Sequence, residues 1–167
     1  MERIDEMRRA EEKVLRDMRN VISKIRGLAA QDLNNVQEGI GKLREIRSAV
    51  YEDLNQIQHE YLILRGLQWL IAKGFGSEME WEWNPRQTGS GNEPDLRGSA
   101  NGKILVSAEA SASENPVGTI DSRMKKTLEK LSRMEGQKFY FVCTPAMAQR
   151  ARTKVQTAKS PISVVQV

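Results

Sequence analysis

Apolar residues recur along the first third of the chain at alternating steps of four and three: Val14, Met18, Val21, Ile25 and Leu28. After a slip the pattern resumes at Leu33, Val36, Ile40 and Leu43, and again at Val50, Leu54, Ile57, Tyr61 and Leu64. A mean spacing of about 3.5 makes a coiled-coil seam, because such positions keep facing one partner along the helix. Residues 2–73 contain no proline and are rich in Glu, Arg, Lys, Gln and Leu, so helix is predicted throughout. The slip near 27–33 is either a stutter in one long rod or a break into a helical hairpin, at Gly27 or at Gly39 with Gly41. The expectation is a coiled coil that forms a homodimer through the N-terminal helices, since a lone helix would leave its seam in water. From Tyr61 to Phe75 the helix becomes apolar on more than one face, as a helix buried in a core does, and Gly74 is placed to end it.

Beyond the helix the period changes to two. Residues 77–84 alternate, with Met79, Trp81 and Trp83 on one face and Glu78, Glu80 and Glu82 on the other, which predicts a strand whose tryptophans pack in the core. A polar, glycine-rich loop follows at 85–92, where Arg86, Thr88 and Ser90 are placed to meet phosphate. Asn101-Gly102 between two strand-like runs is a strong hairpin signal, because a type I′ turn needs positive φ at both central residues. The second strand carries Leu105, Ser107, Glu109 and Ser111 on one face and Val106, Ala108 and Ala110 on the other. Thr119 then caps a helix over 119–134 with Ile120, Met124, Leu128 and Leu131 on its buried stripe. A strand at 138–144, a basic helix at 145–159 and a strand at 162–167 complete an α/β chain of order α-β-β-β-α-β-α-β. The division is a helical oligomerisation region at 1–55 and a globular domain at 56–167.

Composition changes this picture little. The 167 residues are 39% hydrophobic, 5% aromatic and 29% charged, a balance that suits a long exposed helix attached to a modest core. A formal charge of +4 is compatible with a phosphate-binding patch without demanding one. A lone cysteine, Cys143, excludes an internal disulfide and is consistent with a cytoplasmic protein, and a lone histidine, His59, excludes His-rich metal sites. No apolar run approaches the length of a membrane span.

The hairpin is the stretch that carries chemistry. It holds Asp95, at its entry, near Glu109. Two carboxylates facing each other are costly unless a cation lies between them, and hard oxygen ligands suit Mg²⁺ or Mn²⁺. Here the sequence resembles the PD-(D/E)XK nuclease superfamily over residues 56–167. Pro94-Asp95 looks like its PD element and Glu109-Ala110-Ser111 lies where the family has (D/E)-X-K; the surrounding GSGNEPDLRG is similar to archaeal Holliday-junction resolvases and restriction enzymes. The resemblance implies a restriction-endonuclease-like core behind a long N-terminal coiled-coil helix or helical hairpin. It implies metal-dependent cleavage of nucleic acid, DNA above all, with Asp95, Glu109 and the Ala110 carbonyl on the metal and Glu60 as a further ligand from the helix. The lysine position holds Ser111. In some members that lysine has moved to the following helix, which here offers Arg123, Lys125, Lys126 and Lys130; Lys126 and Arg123 border the buried stripe and are the expected replacements, with Lys125 outward. The alternatives are a catalytically inactive nuclease fold used for DNA binding or assembly, with Ser111 as its mark, and a structural coiled coil with a small α/β cap.

Overall fold

The computed structural model describes residues 1–30, 32–76, 78–85 and 92–167. Arg86, Thr88 and Ser90 lie outside the described residues. The elements are β1 (Glu2–Arg3), α1 (Met7–Ala29), α2 (Val36–Ala72), β2 (Glu80–Trp83), β3 (Leu96–Ala100), β4 (Lys103–Ser111), α3 (Thr119–Ser132), β5 (Gln137–Val142), α4 (Pro145–Thr157) and β6 (Ile162–Gln166). The strands form one mixed sheet in the order β1-β2-β3-β4-β5-β6. The pairs from β1 to β4 are antiparallel, and β4-β5 and β5-β6 are parallel, their crossovers made by α3 and α4. Asn101 and Gly102 both have positive φ at the β3–β4 turn, as their sequence requires. No helix among the described residues is long and apolar enough to cross a membrane.

Helices cover both faces of the sheet. On one face Ile63, Leu67 and Leu70 of α2 share a core with Val106, Ala108, Phe139 and Phe141 and with Trp81 and Trp83 of β2, so the tryptophans are packed as expected. The approach of α2 is close: a Cβ on Gly66 would lie 2.5 Å from the Phe141 ring. On the other face Met124, Leu128 and Leu131 of α3 and Met147, Ala148 and Ala151 of α4 pack with Tyr140, Val142 and Ile162.

The N-terminal third departs from a continuous helix in two ways. Residues 2–3 form an edge strand, Glu2 opposite Trp83 and Arg3 opposite Glu82. The helix then breaks between Ala29 and Val36, and α1 folds back along α2. None of the three glycines makes the break, since Gly27 lies inside α1 and Gly39 and Gly41 lie inside α2. An Asn-x-x-Glu capping box makes it instead. The Asn35 side chain accepts a hydrogen bond from the Glu38 N–H, and the Glu38 carboxylate reaches back to the Asn34 N–H. Part of the apolar seam is consequently covered within the chain: Ala10, Val14 and Val21 of α1 and Val50 and Ile57 of α2 join the sheet's core. The boundary expected at 55/56 falls in the middle of α2.

A candidate acidic site beneath a polar cleft

Asp95 and Glu109 meet at the start of β3. Leu96 pairs with Ala108 in an antiparallel register, so Asp95, one residue earlier, comes level with Glu109. There its Oδ2 accepts a 2.8 Å hydrogen bond from the Ala110 N–H. The same oxygen lies 3.1 Å from His59 Nε2, which arrives from α2. Glu109 projects to the opposite face of β4 from Ala108 and Ala110, towards α3, where the Lys130 ammonium lies 2.6 Å from Oε1. Lys130 also donates to the Glu93 carbonyl at 3.1 Å. Both acids are buried, at 2% and 4% exposure.

Burial has electrostatic consequences. The Glu109 carboxyl is pushed up to about 8, first by burial and then by the Asp95 carboxylate, with Lys130 and His59 opposing. Burial alone would lower His59, but its hydrogen bond to Asp95 and the charges of Asp95, Glu109 and Glu60 outweigh it and raise the imidazole. Tyr140, opposite Glu109 in β5, is pushed up to about 12 by burial, and the Ser111 hydroxyl hydrogen-bonds it.

Over this cluster lies a cleft of about 730 Å³ between α2 and α3, with His59, Ala110, Ser111 and Tyr140 beside Arg123 and Lys126. Arg123 and Lys126 make no ion pair among the described residues, whereas Lys125 faces outward to Glu129 at 3.8 Å. A neighbouring hollow of about 530 Å³ is lined by Lys126, Lys130 and Arg133. A more apolar hollow between α3 and α4, about 530 Å³, contains neither acid of the pair.

The expected residues thus divide. Asp95, Glu109 and Ala110 come together; Ser111, Arg123 and Lys126 line the cleft above them. Glu60 does not join. Both its oxygens lie 2.8 Å from the Lys13 ammonium, and Gln56 donates a further hydrogen bond, so this buried carboxylate ties α2 to α1. The cation on Glu109 is Lys130, one turn beyond Lys126. The signal for it was present, because Lys130 is seven residues past Arg123 and so on the same edge of the buried stripe. Nothing in the local sequence points to His59.

The geometry suits a hard cation in one respect and limits it in another. Two carboxylates and a strand carbonyl are an all-oxygen donor set. Among the described residues no three His, Cys, Asp or Glu side chains converge as a metal-binding group, and the positive charge facing Glu109 is an ammonium. No family model, curated protein or solved structure matches the chain.

Proposed function

We propose that this chain is a metal-dependent endonuclease that hydrolyses phosphodiester bonds in DNA, built on the PD-(D/E)XK plan. The observation that carries the reading is the meeting of Asp95, Glu109 and Lys130 under an open polar cleft. The order α2-β2-β3-β4-α3-β5-α4-β6 agrees with that superfamily's core. Lys130 also answers the departure at Ser111, since an ammonium reaches the motif's glutamate from the next helix.

Each side chain has a role that follows from its surroundings. Asp95 and Glu109, with the Ala110 carbonyl, would hold Mg²⁺ or Mn²⁺, which supplies a polarised phosphate and a more acidic water. The Ala110 N–H and His59 fix the Asp95 carboxylate in place. Lys130 opposes the rise in the Glu109 pKa and so favours the ionised form. Arg123 and Lys126, facing the cleft without acidic partners among the described residues, balance the charge of a bound phosphodiester. The phenol and hydroxyl of Tyr140 and Ser111 fill the floor where the motif's lysine would stand.

The second reading, an inactive nuclease fold that binds DNA or assembles through its helices, rests on Ser111. Cleavage of plasmid, linear, single-stranded and four-way-junction DNA with Mg²⁺ or Mn²⁺, beside a binding assay, separates the two. The endonuclease reading requires cleavage by the wild type that Asp95→Asn abolishes while binding persists. Binding without cleavage selects the inactive module, and absence of both overturns each.

A further inference from the structure

The two long edges of the α1–α2 hairpin differ in kind. One is ionic and closed: Lys13 pairs with Glu60 at 2.8 Å and Lys24 with Asp53 at 2.7 Å, so residues spaced by whole turns on each helix cross-link that edge. The other is apolar and open. Leu15, Met18 and Ile22 lie within two turns of α1, and Val36, Ile40, Leu43, Leu54 and Tyr61 repeat at helical spacing along α2; all are exposed, Val36 at 83% and Leu43 at 65%. A groove of about 200 Å³ lined by Leu15, Met18, Tyr61 and Arg65 shows that the two stripes open on the same side. From Val36 to Tyr61 the stripe is roughly 40 Å long at the α-helical rise. So long an apolar surface on a polar protein marks an interface.

The charges beside the stripe indicate what covers it. Arg19 lies one turn from both Leu15 and Ile22, Arg26 one turn past Ile22, Arg47 one turn past Leu43, and Arg65 one turn past Tyr61. None of the four makes an ion pair among the described residues; Arg65 donates only to the Tyr61 hydroxyl, at 3.4 Å. The acids near that end of α1 are engaged: Glu11 accepts from Gln68 at 2.8 Å, and Glu12 pairs with Arg8 at 3.0 Å. A second copy of the chain would bring arginine rims against arginine rims. A helix with leucine-like side chains flanked by carboxylates matches both stripe and rim, and the groove takes its side chains as knobs.

We propose that this edge of the hairpin is a docking surface for an acidic amphipathic helix of another protein. The test uses the full chain and two fluorescent helical peptides of about 25 residues, with leucine at the core positions and either glutamate or lysine at the flanks. The glutamate peptide is expected to bind at least about tenfold more tightly than the lysine peptide. Ile40→Asp with Leu43→Asp should abolish that binding, and Arg19→Glu with Arg47→Glu should reverse the preference. These positions are exposed, so circular dichroism should show unchanged helix content in each variant. Equal binding of both peptides, or binding of neither, overturns the proposal. A chain that light scattering finds dimeric, and that Leu43→Asp makes monomeric, assigns the surface to a second copy instead. Flotation with phosphatidylserine vesicles that Leu43→Asp abolishes, without peptide binding, assigns it to a membrane.

Discussion

The Lys130 ammonium lies 2.6 Å from the Glu109 carboxylate, across the gap between α3 and β4, and Lys130 is about one-third exposed while Glu109 is almost sealed. The asymmetry matters because only one of the pair can return its charge to water. Lys130→Met leaves Glu109 against Asp95 with its nearest compensating charge gone, so the glutamate, already raised to about 8 beside Lys130, holds its proton to still higher pH. The stability loss should be nearer 1 kcal/mol than the 3–5 kcal/mol of a sealed pair, because protonation relieves the stranded charge. Cleavage should fall at least about tenfold, the order expected when a charge that stabilises the reacting state is removed. Urea unfolding and a cleavage time course on the same preparation measure the two effects separately.

Stability in the absence of divalent metal should decline as pH rises. Glu109, ordinarily near 4.5, is raised to about 8 in the folded chain, and His59 is raised above 6.5. A raised folded-state pKa means that the native state binds the proton more tightly. The resulting stability is complete below the unfolded pKa and is lost as pH climbs through the folded one. With chelator present, the melting temperature should therefore fall between about pH 4.5 and 8, and Glu109→Gln should flatten the curve. Magnesium should offset the fall at the upper end if the two carboxylates hold it.

Glu60 and Lys13 should behave as a strut. Lys13→Met strands a carboxylate that is 1% exposed, at a cost of about 3–5 kcal/mol. The double variant with Glu60→Gln should recover most of that loss, which chemical denaturation would register. Glu60→Gln should leave the metal dependence of cleavage unchanged; an altered Mg²⁺ requirement would return Glu60 to the metal site.

Gly66→Ala tests the packing that supports the site. Its Cβ would stand 2.5–2.8 Å from three atoms of the Phe141 ring, in a core already filled. A loss of about 1–3 kcal/mol is expected, readable as a lower urea midpoint with an unchanged slope.

Much of this arrangement was legible in the order of residues, and what was missed has identifiable causes. Strands and helices after residue 77 follow from alternation, the Asn-Gly turn and Pro145 at the start of α4, because those signals are local, although Gly118 and not Thr119 is the cap residue of α3. The pairing of Asp95 with Glu109 follows from hairpin register for the same reason. The slip near 27–33 marks the break before Val36, but its cause is the capping by Asn35 and Glu38 and not the helix cost of a glycine, about 1 kcal/mol, because a cap acts where a helix must begin. His59 and the fate of Glu60 depend on α2 crossing the sheet and α1 returning along it. No local pattern encodes either contact.

The strand order has a consequence for how the chain assembles. Every strand lies beside the next in sequence, and from β2 to β6 no connection holds more than one helix, so this part of the sheet can grow by closing one short connection at a time. β1 is the exception. Its partner, β2, lies beyond the whole helical hairpin, and two residues of pairing must close that span. β1 and α1 should therefore join last and open first, with α1 detaching from Lys13 to Val21 before the sheet yields. In hydrogen exchange, the amides of Ile4 and the first turns of α1 should exchange through a local opening, while those of Val106, Tyr140 and Phe141 should wait for global unfolding.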